Sequence, residues 1–178
     1  MKLILQVLTT LAFAAGVAAA LQDGVQLGVT RGGPHGDAYS DLEIVSPGQT
    51  VHSITIRSSD RVDAVGLNVT SPSGQNTILY HGGDGGDKDT RWLAKGEHIV
   101  GVEAHWDKYY RKTRLVYIKF TTDKGNEIYG GTKTDDLNKK ASETAPKGFQ
   151  LGGFVGYSGK ELDSMGPIWT SIKPVKKS

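Results

Sequence analysis

The chain has 178 residues, enough to bury one continuous core but too few for two full domains. Its 37% hydrophobic residues, 22% charged residues and formal net charge of +2 exclude a disordered chain and a protein of several membrane spans, and they demand no nucleic-acid partner. No cysteine occurs in the sequence, which excludes disulfides, thiolate metal sites and a cysteine nucleophile.

The first twenty residues have the pattern of a secretory signal peptide. Lys2 is followed by an apolar run from Leu3 to Ala20, which ends in three alanines before a polar segment. Polar residues dilute this run, and it is shorter than the roughly 20 apolar residues that span a bilayer. We therefore expect a signal peptide over 1–20 and a secreted, extracellular mature chain, 21–178, without a membrane span.

Short segments of β-branched and aromatic residues recur along the mature chain, with glycine-rich or Pro-Ser-Gly turns between them. Where apolar and polar residues alternate, the period of two indicates β-strands. The expected strands are 51–57, 65–69, 76–80, 97–104, 116–120, 149–155 and 167–173. The one segment of helical character, 135–142, is too short to organise a fold, and we expect it to be a surface loop. An antiparallel sandwich, barrel or prism fits this pattern.

Two internal similarities indicate a repeated structure. A glycine pair followed closely by aspartate occurs at 32–37, 82–87 and 130–135, and the first glycines are 50 and 48 residues apart. Residues 58–66 also resemble residues 158–166. A near-constant period predicts three similar sheet modules around a pseudo-threefold axis, because each set of strands is too short to bury its own face. Chance similarity in a glycine-rich chain is the alternative.

The segment 159–163 carries the groups that a sugar needs. Paired glycines elsewhere let the backbone approach a ligand without an intervening Cβ. Here the peptide N–H groups of Lys160 and Glu161 accompany the carboxylate of Asp163, so one turn offers donors and acceptors. A sugar diol is the natural complement, because each hydroxyl both donates and accepts. We expect Asp163 on an exposed turn; the alternative is that it only stabilises that turn.

The glycine loops at 32–36 and 82–86, together with the G-x-x-x-D motif at 159–163, resemble those of jacalin-related lectins of the mannose-binding type. The similarity covers about residues 27–173 and implies one jacalin-like lectin domain over 21–178. The fold implied is all-β, a β-prism I of three four-stranded Greek-key sheets with pseudo-threefold symmetry. The activity implied is sugar binding without metal, cofactor or catalysis.

The same resemblance assigns the sugar contacts. The primary site would use Gly36, Gly159, Lys160, Glu161 and Asp163, with backbone groups from Gly36, Lys160 and Glu161 and the Asp163 carboxylate on the 4- and 6-hydroxyls. Leu162 is expected to point into the sheet. The first loop departs from the family pattern at His35, which is expected to narrow the site or to contact a longer glycan.

Some relatives carry a second site, which here would comprise Asp60, Arg61, Asp63 and Gly86. Ser59 replaces the leading glycine of that motif, and we expect weaker binding because serine lacks the freedom of glycine at positive φ. The corresponding segment of the third module, 107–114, has no matching aspartate, so a third site is not expected.

The resemblance also bears on the glycan. The galactose-preferring branch of the family depends on a glycine amino terminus freed by proteolysis at the first loop, whereas residues 21–31 precede that loop on this chain. A mannose/glucose preference is therefore expected. The partners would be glycans or glycoproteins, and self-association into a homo-oligomer stays open.

Three other functions compete with this interpretation. The segment 108–119 concentrates basic residues that suit a sulfated or acidic polysaccharide, although a solvated strand pair explains them equally well. The cluster is formed by Lys108, Arg111, Lys112 and Arg114, with Lys119 nearby.

The segment 82–89 begins like a calcium-binding nonapeptide, but the motif occurs once rather than in an array. An enzyme would need a nucleophile–base pair or two placed carboxylates, and none is evident, so neither catalysis nor a metal is expected.

Overall fold

The computed structural model describes residues 20–175, and within this range the chain forms thirteen strands and one short 3-10 turn at Leu137–Lys139. The strands are β1 Val25–Leu27, β2 Arg31–Gly32, β3 Asp37–Ser40, β4 Thr50–Ser58, β5 Val62–Thr70, β6 Asn76–Gly82, β7 Asp87–Trp92, β8 Ile99–Tyr109, β9 Lys112–Thr122, β10 Glu127–Gly131, β11 Lys140–Thr144, β12 Phe149–Ser158 and β13 Leu162–Ser171. The proposed signal peptide lies, apart from residue 20, outside the described residues. In the described part, no helix has the length and apolar character needed to cross a bilayer.

The strands form three antiparallel sheets, as predicted. Two sheets have four strands each, in the orders β6-β5-β4-β7 and β10-β9-β8-β11. In both, the fourth strand along the chain returns to lie beside the first, which is the Greek-key arrangement. The third sheet has the order β1-β13-β12-β3 and so joins the two ends of the domain.

The third sheet contains five strands rather than the expected four, because one of its edges is broken. Both β1 and the two-residue β2 pair with β13, and the gap between them lies beside Pro167. Proline has no N–H to donate to a neighbouring strand. At the gap, Gly28 N–H donates to the carbonyl of Pro167 over 2.8 Å, and the ladder resumes only at Arg31.

The core lies between the three sheets. Buried hydrophobic residues from all three form one continuous cluster, and its largest fully buried side chains include Trp169, Phe120 and Leu67, one from each sheet. The prediction of a surface loop over 135–142 is wrong for its last three residues, because β11 begins at residue 140 and pairs with β8. This edge strand is mostly polar, so it lacks the apolar alternation that identifies a strand in a sequence.

The threefold repeat is real, but its third copy is displaced by one residue. Gly32, Gly82 and Gly131 occupy equivalent register positions and all have positive φ, at 114°, 119° and 86°. At each position a Cβ would clash with a carbonyl oxygen of the neighbouring strand, so only glycine fits. The third copy is therefore Gly131-Thr132 rather than the glycine pair at 130–131.

Candidate functional site

The loops singled out in the sequence meet at one end of the prism and interlock. Three glycines of these loops each pack directly against a hairpin of a neighbouring sheet, so closely that a Cβ on the glycine would clash with it. The pairs are Gly33 with Thr113, Gly83 with Lys160 and Gly130 with Ser58. The three sheets are thereby joined in a ring, and the loops of the primary site and the second site lie next to each other.

The primary site brings the β2–β3 loop over the β12–β13 hairpin. Gly36 has φ 76°, and a Cβ on it would stand 3.0 Å from Asp163 Oδ2. A residue with a Cβ at this position would therefore crowd the carboxylate. The backbone of Gly33 fixes the loop by donating from N–H to the carbonyl of Asp163 over 2.9 Å. Leu162 is fully buried in the core, as expected.

The expectation that Asp163 lies on an exposed turn is wrong. Asp163 is the second residue of β13 and is only 4% exposed, because the loop from Gly33 to Gly36 packs over it. Its Oδ1 atom is buried and accepts no hydrogen bond from the described residues. Burial raises the pKa of Asp163, and the positive charge of Arg114 is the largest effect that opposes that rise.

The second site repeats this arrangement in the neighbouring sheet. Asp63 is 7% exposed and lies beneath the β6–β7 loop, where a Cβ on Gly86 would stand 2.6 Å from its Oδ2. That Oδ2 is likewise buried without a hydrogen bond from the described part of the chain. Burial raises the pKa of Asp63, and the charge of Glu161 raises it further. Asp60 is exposed in the adjoining turn.

The chain matches a jacalin-like lectin domain over residues 29–168. It belongs to the jacalin-like lectin family. It is 32% identical over 171 residues to the secreted RxLR effector protein 19 of Plasmopara viticola, covering 95% of this chain and 94% of that protein. The structure of wild-type Malaysian banana lectin superposes with a TM-score of 0.71 at 22% identity, covering 83% of this chain and 99% of that one. AcmJRL, a mannose-binding jacalin-related lectin from Ananas comosus, gives 0.70 at 19% identity with the same coverage.

The third module has no carboxylate at the position that Asp63 and Asp163 occupy in the other two. Val116 holds the register position that Asp63 and Asp163 hold in the other two modules, and Thr132 N–H donates to its carbonyl over 2.8 Å. The β8–β9 hairpin closes through Tyr110 and Arg111, both at positive φ. The equivalent turns in the other two modules are longer, so the third module differs in backbone as well as in side chains.

The second glycine loop already holds a cation of the protein itself. Arg57 donates from Nη1 to the carbonyls of Asp84, Gly85 and Gly86, at 2.8, 3.3 and 3.0 Å. Asp89, the last residue of the segment that resembles a calcium-binding nonapeptide, pairs with Arg91. Within residues 20–175, no three acidic or histidine side chains are grouped closely enough to hold a metal ion.

The basic segment 108–119 is divided rather than continuous. Lys108, Arg111 and Lys112 are exposed at the β8–β9 hairpin. Lys119 instead pairs with two glutamates further along β9, and Arg114 donates to Glu161. Only the three exposed cations are therefore available to an acidic ligand.

The side chain of Arg61, a predicted residue of the second site, is held within the protein, because it donates to Glu161 and lies 3.6 Å from the centre of the Tyr109 ring. One expectation about the second site needs correction. Gly159 does not adopt positive φ, and neither does its counterpart Ser59. The replacement of glycine by serine therefore causes no backbone strain.

Sequence reasoning missed the side chains of Tyr109, Arg114 and Glu161 as parts of one cluster. The sequence did contain one signal for this cluster, the equivalent positions of three charged residues in the three modules. Arg61, Glu161 and Arg114 each precede by two residues the register position held by Asp63, Asp163 and Val116 respectively. Arg114 follows Arg61 by 53 residues and precedes Glu161 by 47, so a repeat alignment whose period varies by three residues brings these three positions together.

Proposed function

We propose that this protein is a secreted, non-catalytic lectin that binds mannose/glucose-type glycans at the primary site, formed by Gly36, Gly159, Lys160, Glu161 and Asp163. The main support is the buried carboxylate of Asp163, which lies under a glycine loop and has an oxygen that accepts no hydrogen bond from the described residues. A buried acceptor left without a donor costs about 1–3 kcal/mol. The Asp163 carboxylate therefore has unused acceptor capacity that sugar hydroxyls can fill on binding.

The second site, at Asp63 and Gly86, is proposed to bind the same kind of sugar. It repeats the buried carboxylate, the glycine loop and the oxygen without a donor. Two sites on one rigid domain favour branched or clustered glycans, because the second contact forms at high effective concentration. The adjacency of Gly83 and Lys160 supports a glycan that reaches both.

A mannose/glucose preference and independence from metal are parts of the proposal. The preference is supported by the resemblance of the uncleaved first loop to the mannose-binding branch, and by the mannose-binding neighbour from Ananas comosus. Metal independence is supported by Arg57, whose guanidinium occupies the carbonyls that a cation would need. Secretion is supported by the apolar leader at 1–20 and by the name of the Plasmopara viticola relative.

The test is titration calorimetry of the mature chain with methyl mannoside and methyl galactoside, each with and without EDTA. We expect mannoside binding that is unchanged by EDTA, and weaker or no binding of galactoside. Asp163→Asn is the matched variant, since it keeps the shape of the side chain and removes its charge. A folded parent protein that binds neither sugar contradicts the proposal.

A second candidate function is binding of sulfated or acidic polysaccharide by Lys108, Arg111 and Lys112. The observation that favours it is their exposure together on one hairpin, next to the β2–β3 loop. Binding of a polyanion weakens steeply with salt, whereas binding of a neutral sugar hardly changes. Heparin retention in 50 and 300 mM salt therefore separates the two functions, with the triple variant Lys108→Ser, Arg111→Ser, Lys112→Ser as the control.

A further inference from the structure

Three side chains from the three sheets meet where the pseudo-threefold axis leaves the prism. Arg61, Glu161 and Arg114 occupy equivalent positions in the three modules, and both arginines contact Glu161, which places the three side chains near the axis. Arg61 donates from Nη2 to Glu161 Oε1 over 2.8 Å and from Nε to Oε2 over 3.2 Å. Arg114 donates from Nη1 to the same Oε2. We call this Arg–Glu–Arg cluster the axial triad.

The axial triad extends into the primary site through Arg114. Its Nε atom lies 3.7 Å from Asp163 Oδ1. Both atoms are buried, and neither has a hydrogen-bond partner among the described residues. The guanidinium therefore contacts Glu161 with one edge and faces the candidate sugar-binding carboxylate with another.

The remaining contacts of the axial triad limit its motion. Arg61 lies 3.6 Å from the centre of the Tyr109 ring, a distance at which a cation–π contact adds to the ion pair. The three charged side chains are only 14–21% exposed, which reduces screening by solvent. A planar guanidinium held on two sides is less free to turn than a lysine ammonium.

We propose that Arg114 is a positioning residue of the primary site, which keeps the buried Asp163 carboxylate ionised and oriented toward the ligand. Glu161, itself held by Arg61, fixes the guanidinium of Arg114 at the distance where it serves Asp163. The sugar-binding part of this inference rests on the proposed function, whereas the electrostatic part does not.

The charged groups that face Asp163 come from three elements. Arg114 and Lys112 lie on β9, His35 on the β2–β3 loop, and Glu161 on the hairpin of Asp163 itself. Burial raises the pKa of Asp163, Arg114 is the cation that lowers it most, and Glu161 raises it. Removing Arg114 and removing the charge of Glu161 should therefore move the pKa of Asp163 in opposite directions.

The first experiment needs no sugar. The carboxyl carbon of Asp163 is titrated by NMR in the parent, in Arg114→Met and in Glu161→Gln. We expect a higher pKa in Arg114→Met. In Glu161→Gln we expect a lower pKa, because the glutamine amide oxygen can still accept from Arg114 and hold it in place, while the negative charge that raises the pKa of Asp163 is gone. A general loosening of the site would move both variants the same way, so shifts of one sign, or no shift in Arg114→Met, overturn the inference.

The second experiment follows methyl mannoside affinity against pH. The ionised carboxylate of Asp163 accepts hydrogen bonds from sugar hydroxyls. Sugar binding should therefore be lost as the pH falls through the pKa of Asp163. In Arg114→Met this loss should occur at higher pH, and affinity should fall about tenfold, equivalent to one charge-assisted hydrogen bond. Lys119→Met is the matched control, because it removes an ion-paired cation five residues further along the same strand.

The two experiments separate failure of the inference from failure of the proposed function. If Asp163→Asn abolishes mannoside binding while Arg114→Met changes neither the affinity nor its pH midpoint, the site is correct and Arg114 is not its positioning residue. If the parent binds no mannoside but the NMR shifts have opposite signs, the electrostatic role of Arg114 stands and the proposed function fails.

Discussion

Two buried carboxylates at opposite ends of this prism have opposite surroundings. Glu97, before β8, is 6% exposed and accepts hydrogen bonds from Thr122 Oγ1, Asn126 Nδ2 and the N–H of Ala94, each at 2.7–2.8 Å. These bonds lower its pKa. Asp163 is equally buried, but its Oδ1 accepts no hydrogen bond from the described residues, and burial raises its pKa.

The difference distinguishes a carboxylate that holds a loop from one with unused acceptor capacity, which is the property on which the proposed sugar site rests. A saturated buried carboxylate stabilises the folded state, whereas an unsaturated one costs free energy until a donor arrives. The folded state tolerates that cost at Asp163 and again at Asp63, in both cases beneath a glycine loop. Lack of a partner, rather than burial, marks the candidate sites.

The largest effect is expected from Asp163→Asn. Loss of the charged acceptor for two hydroxyls should reduce mannoside affinity at the primary site by about 100-fold, or roughly 3 kcal/mol. Because the folded protein binds a proton at Asp163 more tightly than the unfolded chain does, the ionised form costs stability above its pKa. The melting temperature at pH 7 should therefore not fall. Calorimetry and thermal melting check both, and a variant that melts early but still binds sugar contradicts the distinction.

The opposite behaviour is expected from Glu97→Gln. An amide nitrogen would face either the N–H of Ala94 or the donors Thr122 and Asn126, so unfolding should become easier by about 1–3 kcal/mol while sugar affinity stays unchanged. Since the folded-state pKa of Glu97 is lowered, its contribution is present above the ordinary glutamate pKa and is lost as the pH falls below about 4. Denaturant unfolding at pH 7 and pH 3 measures this.

The control for that variant is Glu127→Gln. Glu127 pairs with Lys119 over 3.0 Å, but its side chain is half exposed, and exposed ion pairs contribute little. We expect almost no change in its unfolding free energy at either pH. Equal losses in the Glu97 and Glu127 variants would mean that charge alone, and not the saturated hydrogen bonding, stabilises this end of the prism.

A smaller effect is expected from Asp63→Asn. Monosaccharide affinity at the primary site should be unchanged, but calorimetry of the parent should count two sites and that of the variant one. Capture of a mannose-rich polymer should fall about tenfold, because the second contact no longer forms at high effective concentration. If the parent shows one site and the variant captures polymer equally well, only the Asp163 loop is functional.

The sequence supported prediction of the fold wherever apolar residues alternate with polar or small residues along a strand. The pairs Val65 with Ile56 and Phe120 with Val102 come from such strands. The segments missed were short or polar edge strands such as β2 and β11, whose pairing is imposed by neighbours rather than by their own pattern. The threefold period was also visible, because positive φ at Gly32 and Gly82 requires glycine.

The candidate site was less predictable, because its surroundings come from distant parts of the chain. The spacing of Gly159 and Asp163 indicated the motif, but burial of Asp163 depends on the loop at Gly36 folding over it. Likewise, nothing local to Arg61 or Arg114 shows that both reach Glu161. Such contacts follow from the closing of three sheets about one axis, which a pattern within one segment does not contain.

The smallest effect is expected where the sequence suggested a clear one, at Ser59. Serine in place of the leading glycine would weaken the second site only if that residue had positive φ, and in the structure neither Ser59 nor Gly159 has it. Both residues donate from N–H across the turn, Ser59 to the carbonyl of Arg61 over 3.1 Å and Gly159 to that of Glu161 over 3.0 Å. The two turns are thus the same in backbone.

Ser59→Gly should accordingly change the mannoside affinity of the second site by less than about twofold. The measurement is calorimetry in an Asp163→Asn background, where only the second site remains. The variant should also be slightly less stable to unfolding, because glycine adds conformational freedom to the unfolded chain. A gain of tenfold or more would show that serine does restrain the second site. The difference between the two sites would then lie in their leading residues rather than in the charges around Asp63 and Asp163.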